Sequence, residues 1–207
     1  MPATPTPRLT LRYAQAVTVL MAACRIDPTA RTAFEARIRQ LQRLGVPPRV
    51  DRQESGPTYG LAELAAFATA IRLMAAFMVP SLAARYVTES WGTLAPALLA
   101  GARGALSESY VARRPLIDET VIVVAASALD DLGRHGRHDE RYGGALGEVV
   151  LLSPSSAIEA VGKLDGGVVI DTTTFMPILV AGFVEATIAT EQNAAHELDL
   201  LRFATSG

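Results

Sequence analysis

The side chains best suited by type and spacing to do chemistry lie between residues 28 and 59. Arg31, Arg37, Arg39 and Arg43 recur at helical intervals with Thr32 and Gln40 among them, and Arg49 and Arg52 follow closely. A guanidinium is a planar fork of donors that matches a guanine edge or a phosphate. Threonine and glutamine add short polar groups that fit base edges. Six arginines and no lysine fall between residues 30 and 60, in a chain whose only lysine is Lys163.

These residues need an element to hold them outward, and the spacing predicts a helix over 28–44. Asp27 suits the N-cap and Pro28 the first turn, where a missing N–H costs nothing. Ala30, Phe34, Ile38 and Leu41 recur on one side as an apolar stripe. Thr32, Ala36, Arg39, Gln40 and Arg43 lie opposite, with Arg37 on the flank. Gly45 suits a left-handed cap, and Pro47 and Pro48 prevent the helix from resuming. The bland alternative is a solvated amphipathic helix in which Glu35 pairs with Arg31 or Arg39.

On either side the pattern continues. Residues 11–26 make a helix candidate with few polar positions. Residues 49–58 are polar, turn at Ser-Gly-Pro and suit a small hairpin or extended loop. Tyr59 then opens a third helix, apolar almost all round, which needs cover on several sides. On it Phe67, Ala70, Met74 and Phe77 make a second stripe that predicts a homodimer, or else an interface within the chain. The break at Val79-Pro80 leads to a shorter helix containing Trp91, and residues 95–114 continue as a helical connector.

From Leu116 the texture changes to β-branched runs at 119–127, 147–153 and 166–172, bounded by Gly, Ser or Asp. A helix is expected between the second and third, and another from about Thr174 to Leu198. The class is therefore α+β, with a helical N-terminal domain at 11–94, a connector at 95–115 and a small α/β module at 116–207. Residues 1–10 read as a flexible lead.

Charge supports a local anion-binding face. Residues 1–60 hold nine arginines against four acids, a net +5, while the remainder holds ten basic and seventeen acidic residues, a net −7. With 50% hydrophobic and 19% charged residues, wholesale disorder is excluded. Cys24 stands alone, which rules out an intramolecular disulfide and fits a reducing cytoplasm. No apolar run reaches the roughly 18 residues of a membrane span, and the N-terminus has no signal-peptide core.

Other chemistry is weaker. His135, His138, Asp139 and Glu140 are interleaved with arginines that repel a cation, and no closed ligand set completes them. Asp171 and Thr172 end a strand where α/β sheets hold ligands, but an N-cap is the ordinary use of those residues there. Ser153, Ser155 and Ser156 lack the spacing of a nucleophile elbow, and His196 suits a helix surface. No enzyme activity, cofactor or metal is expected.

The order helix, turn, arginine-rich helix, proline-flanked loop, tyrosine and helix is that of a winged helix-turn-helix. Through Arg37, Arg39, Gln42, Arg43, Leu44, Gly45, Val46, Pro47 and Pro48, then Tyr59, Glu63, Leu64, Phe67, Ile71 and Leu73, residues 11–90 resemble the MerR family of bacterial transcriptional regulators. That resemblance implies a duplex-DNA-binding regulator with RNA polymerase or another protein as a further partner. Its contact set would be Arg31, Thr32, Arg37, Arg39, Gln40, Arg43, Arg49, Arg52 and Tyr59. The chain departs from the family at Phe77–Val79, where the family has a turn glycine, and after residue 90, where the long dimerising helix is absent. The competing reading is a phage- or plasmid-type adaptor that uses the same arginine face to bind protein.

Overall fold

A computed structural model describes residues 8–47, 51–53, 56–107, 118–125, 146–163 and 167–203. The architecture is mixed α+β and mainly helical, with two three-stranded sheets. Arg8 to Thr10, expected to be part of a flexible lead, pack against the body, with Leu9 and Thr10 half-buried.

A short strand β1 (Leu11–Arg12) runs into α1 (Tyr13–Cys24). Arg25 terminates α1 in the left-handed region at φ 57, and the Ile26 amide reaches back to the Met21 carbonyl. A single 3-10 turn, Pro28–Ala30, precedes α2 (Arg31–Arg43). The Asp27 carboxylate starts that turn by accepting from the Thr29 amide at 2.8 Å. Phe34, Ile38 and Leu41 form the buried side of α2, as the stripe predicts. Gly45 ends the element at φ +89, a conformation that only glycine adopts at little cost.

Strands β2 (Asp51–Gln53) and β3 (Gly56–Tyr59) pair antiparallel as a hairpin. β1 adds to the outer edge of β3, with Leu11 opposite Tyr59 and Arg12 opposite Thr58, so the sheet order is β1-β3-β2. The hairpin leads into α3 (Leu61–Ala75), in which every residue from Leu61 to Ile71 is buried. α4 (Pro80–Glu89) and α5 (Trp91–Ala102) follow, so Trp91 opens a helix rather than closing one.

The second sheet joins β4 (Val121–Ala125), β5 (Val149–Leu152) and β6 (Gly167–Asp171) in the order β5-β4-β6, antiparallel throughout. α6 (Pro154–Val161) links β5 to β6. Its Ala157 lies with Val121 and Val123 in a small apolar cluster on one face of the sheet. The single helix expected after residue 174 is two: α7 (Met176–Thr187) and α8 (Glu191–Phe203). Ile188, at φ 54, divides them.

One main core runs through both halves of the sequence. It joins Val17, Leu20, Ile38, Leu64 and Phe67 to Ile122, Ile170, Phe175, Leu179, Phe183 and Leu198. α7 packs along α1, and Gly182 lies where a Cβ would meet Val19 Cγ1 at 3.2 Å. α3 is covered by α1, α4, α7 and α8 of the same chain, which explains its apolar surface on every side. Phe67 and Ala70, the centre of the stripe that suggested a dimer, are buried there, and Met74 is half-buried. Phe77 alone of that stripe is exposed.

Candidate nucleic-acid interface

The outer face of α2 presents Thr32, Ala33, Ala36, Arg37, Arg39 and Arg43 to solvent. Phe34, Ile38 and Leu41 fix its rotation, because turning the helix would expose all three. The four arginines of α2 meet one acid, Glu35, and that carboxylate is already engaged. Arg31 Nε donates to Glu35 Oε1 at 3.0 Å, and Arg39 Nη1 lies 3.9 Å from Glu35 Oε2.

The arginines divide by what they touch. Arg31 points back along α1, its Nη1 donating to Thr18 Oγ1 at 3.3 Å and its Nη2 to the Ala14 carbonyl at 3.4 Å. It therefore ties the two helices together rather than standing clear. Arg37 Nη1 donates to Gln40 Oε1 at 2.6 Å, which orients the glutamine's amide nitrogen away. Arg39 and Arg43 are exposed, and Arg43 has no ion-pair partner among the described residues.

Tyr59 does not join this face. It is 1% exposed, packed between Tyr13 and Phe67 with ring centroids 6.3 and 6.0 Å away. Burial pushes its phenol up from the ordinary range, opposed by the hydrogen bond from Gln42, whose Nε2 donates to the hydroxyl at 2.7 Å. Tyr59 thus fastens the C-terminal end of α2 to the hairpin. Its burial leaves almost no surface of the ring or hydroxyl for contact from outside. Arg52 lies in β2 opposite Pro57, and Arg49 falls outside the described residues.

Two further arginines lie outside the expected contact set. Arg12 and Arg25 are exposed at the two ends of α1. Neither belongs to the periodic run that drew attention to α2, and only the fold brings their helix alongside it. An ion pair joining the start of the described chain to α3 was missed as well. Arg8 Nη2 donates to both carboxylate oxygens of Glu63, at 2.6 and 2.7 Å.

The other candidates resolve into structural roles or lie elsewhere. Asp171 Oδ1 accepts from the Thr173 amide at 2.9 Å and so caps the 3-10 turn Thr172–Thr174. Thr172 is fully buried, its hydroxyl within 2.8 Å of the Ala97 carbonyl and 2.7 Å of the Thr120 carbonyl. Ser153 caps α6 through the Ser156 amide. Cys24 is buried, which pushes its thiol up to about 12 despite the nearby Arg72 charge, so it is no thiolate nucleophile at neutral pH. His135, His138, Asp139 and Glu140 fall outside the described residues. No helix among the described residues is long and apolar enough to cross a membrane.

No protein-family model, curated protein or solved structure matches the chain.

Proposed function

We propose that the chain is a sequence-specific duplex-DNA-binding transcriptional regulator of MerR-like type, with α2 as its reading helix and the Asp51–Tyr59 hairpin as its wing. The observation that carries this reading is the exposed face of α2, where Arg37, Arg39 and Arg43 stand opposite the buried Phe34, Ile38 and Leu41. Thirteen residues make a rod about 20 Å long, which fits the major groove. The small side chains of Thr32, Ala33 and Ala36 allow that rod to approach base edges. Helix α1, a tight turn, helix α2 and the β2–β3 hairpin follow one another in the order expected of a winged helix-turn-helix, which supports this reading.

Duplex DNA is the partner, and the bacterial cytoplasm is where the protein would meet it. The proposed roles differ along the site. Arg39 and Arg43 read bases, Arg37 positions Gln40, and the arginines at 49 and 52 are assigned to flanking phosphates on charge and sequence position. Arg31 holds α2 on α1 and contributes to binding only through that geometry.

Selection of bound sequences from a random duplex pool tests this directly. Wild-type protein should converge on a preferred site. Arg39→Ala or Arg43→Ala should each cost about 1–3 kcal/mol on that site and relax preference at particular base pairs. Convergence on no sequence, together with equal binding by both variants, would refute the assignment. Capture of a protein through the same face, without retention of DNA, would favour the adaptor reading.

A further inference from the structure

Behind the hairpin, the start of the described chain is clamped between the first and last thirds of the molecule. Arg8 places its guanidinium on Glu63, near the start of α3, and the next residue, Leu9, donates its amide to Glu197 Oε1 on α8 at 2.9 Å. Glu63 and Glu197 are 6% and 1% exposed, so both carboxylates are withdrawn from water. Glu63 Oε2 also accepts from the Gly60 amide at 2.9 Å, at the point where β3 becomes α3. One residue earlier, Tyr59 pairs with Leu11 in the sheet and receives the hydrogen bond from Gln42 of α2.

We propose that residues 8–12 form a strap through which α8 regulates the wing and the C-terminal end of α2, with Glu197 as its release point. The contacts are continuous: α8 holds Leu9, Arg8 holds Glu63, Glu63 holds Gly60, and Tyr59 holds Gln42. Its consequence for operator binding rests on the DNA reading above; the strap itself does not.

Charge balance makes Glu197 the weak member. Two buried carboxylates share the guanidinium of Arg8, which sits on Glu63, and a buried charge without a close ionic partner is costly. Burial raises the Glu197 carboxyl above its ordinary range, opposed by the Leu9 hydrogen bond and Arg8, reinforced by Glu63, and opposed again by His196. Among the described residues, Arg8, Glu63 and His196 are the ionisable groups that act on it. Residues 91–102 of α5 carry no titratable side chain, and Glu185, the one on α7, is exposed. For an acid with a raised folded-state value, the protonated form favours the folded state. The folded state around the strap therefore gains stability as pH falls from neutral toward the ordinary carboxylate range and loses it as pH rises through the folded value, the relief of the buried charge outweighing the weaker Leu9 hydrogen bond to the protonated acid.

Gly60 supplies an independent handle. A Cβ there would lie 2.9 Å from Arg8 Nη2 and 2.9 Å from Glu63 Oε2. The Arg8 guanidinium ends a long flexible side chain, so Gly60→Ala displaces it while leaving the backbone at an ordinary φ of −84°.

Amide hydrogen exchange on the full chain tests the strap, with each substitution read at the far end. Glu197→Gln keeps an acceptor for Leu9 while removing the buried charge, and should slow exchange of the Gly60 amide about fivefold at pH 7. Arg8→Ala and Gly60→Ala should speed the Leu9 amide by about the same factor. The Val123 amide in β4 serves as control and should not move. An unchanged Gly60 amide in Glu197→Gln, or equal changes at Val123 in all three variants, overturns the strap. Duplex retention is measured beside it. Altered exchange with unaltered affinity for DNA overturns the regulatory role, whereas wild-type protein that never binds duplex sinks the DNA reading and leaves exchange to judge the strap.

Discussion

Tyr59 illustrates how a residue's chemistry is decided by its surroundings. Its hydroxyl accepts the Gln42 amide while its ring fills the space between Tyr13 and Phe67. Tyr59→Phe should keep the ring packing and cost about 1 kcal/mol of stability, since Gln42 loses one hydrogen bond but remains half-exposed to water. Urea unfolding gives that number, and a cost near zero would mean that Gln42 finds another acceptor. Binding to duplex DNA by the folded variant should stay within about twofold of wild type, a change worth less than half a kcal/mol. At this scale the sequence was legible where helical spacing decides burial, as at Phe34, Ile38 and Leu41. It was not legible at Tyr59, Arg8 or Glu197, because their partners lie far away along the chain and only the fold brings them together.

Among the elements, α2, the hairpin and the three strands of the second sheet fall close to where periodicity and turn residues put them. Periodicity is a local property, and each of these segments is bounded by Gly, Pro or Asp. The long apolar stretches were harder to read for the complementary reason. The stripe on α3 admitted a second copy or an interface within the chain, and α1, α4, α7 and α8 cover its centre. The break at Ile188 carries no glycine or proline, so one helix was expected where two occur. Gly101 shows how tightly the halves fit. A Cβ there would strike the Thr172 hydroxyl and come within 2.8 Å of the Thr172 carbonyl carbon, which cannot swing aside as a side chain can. Gly101→Ala should destabilise the protein by about 1–3 kcal/mol through overpacking between α5 and the turn after β6. Thermal or denaturant unfolding measures it, and an unchanged midpoint would mean that α5 can slide without loss.

For the whole molecule, the important feature is that the arginine face and the α/β part share one core. Movement of α7 or α8 therefore reaches α1 and the hairpin through packed side chains rather than across a linker. A signal received by the C-terminal part thus has a physical route to the arginine face. The charge segregation is resolved in the same way. Part of the arginine charge of residues 1–60 is already paired, by Arg8 on the buried Glu63 and by Arg31 on Glu35, while Arg12, Arg25, Arg37, Arg39 and Arg43 face solvent. The outward set, together with Arg52 of the proposed wing, is what would exchange counterions for phosphates. The most direct measurement is a salt titration of duplex retention. Log affinity should fall linearly with log salt, at a slope of about 0.9 per phosphate contact, and Arg52→Ala should reduce that slope by about one contact. Absence of retention at low ionic strength, or retention indifferent to salt, would contradict a DNA-binding role for this face.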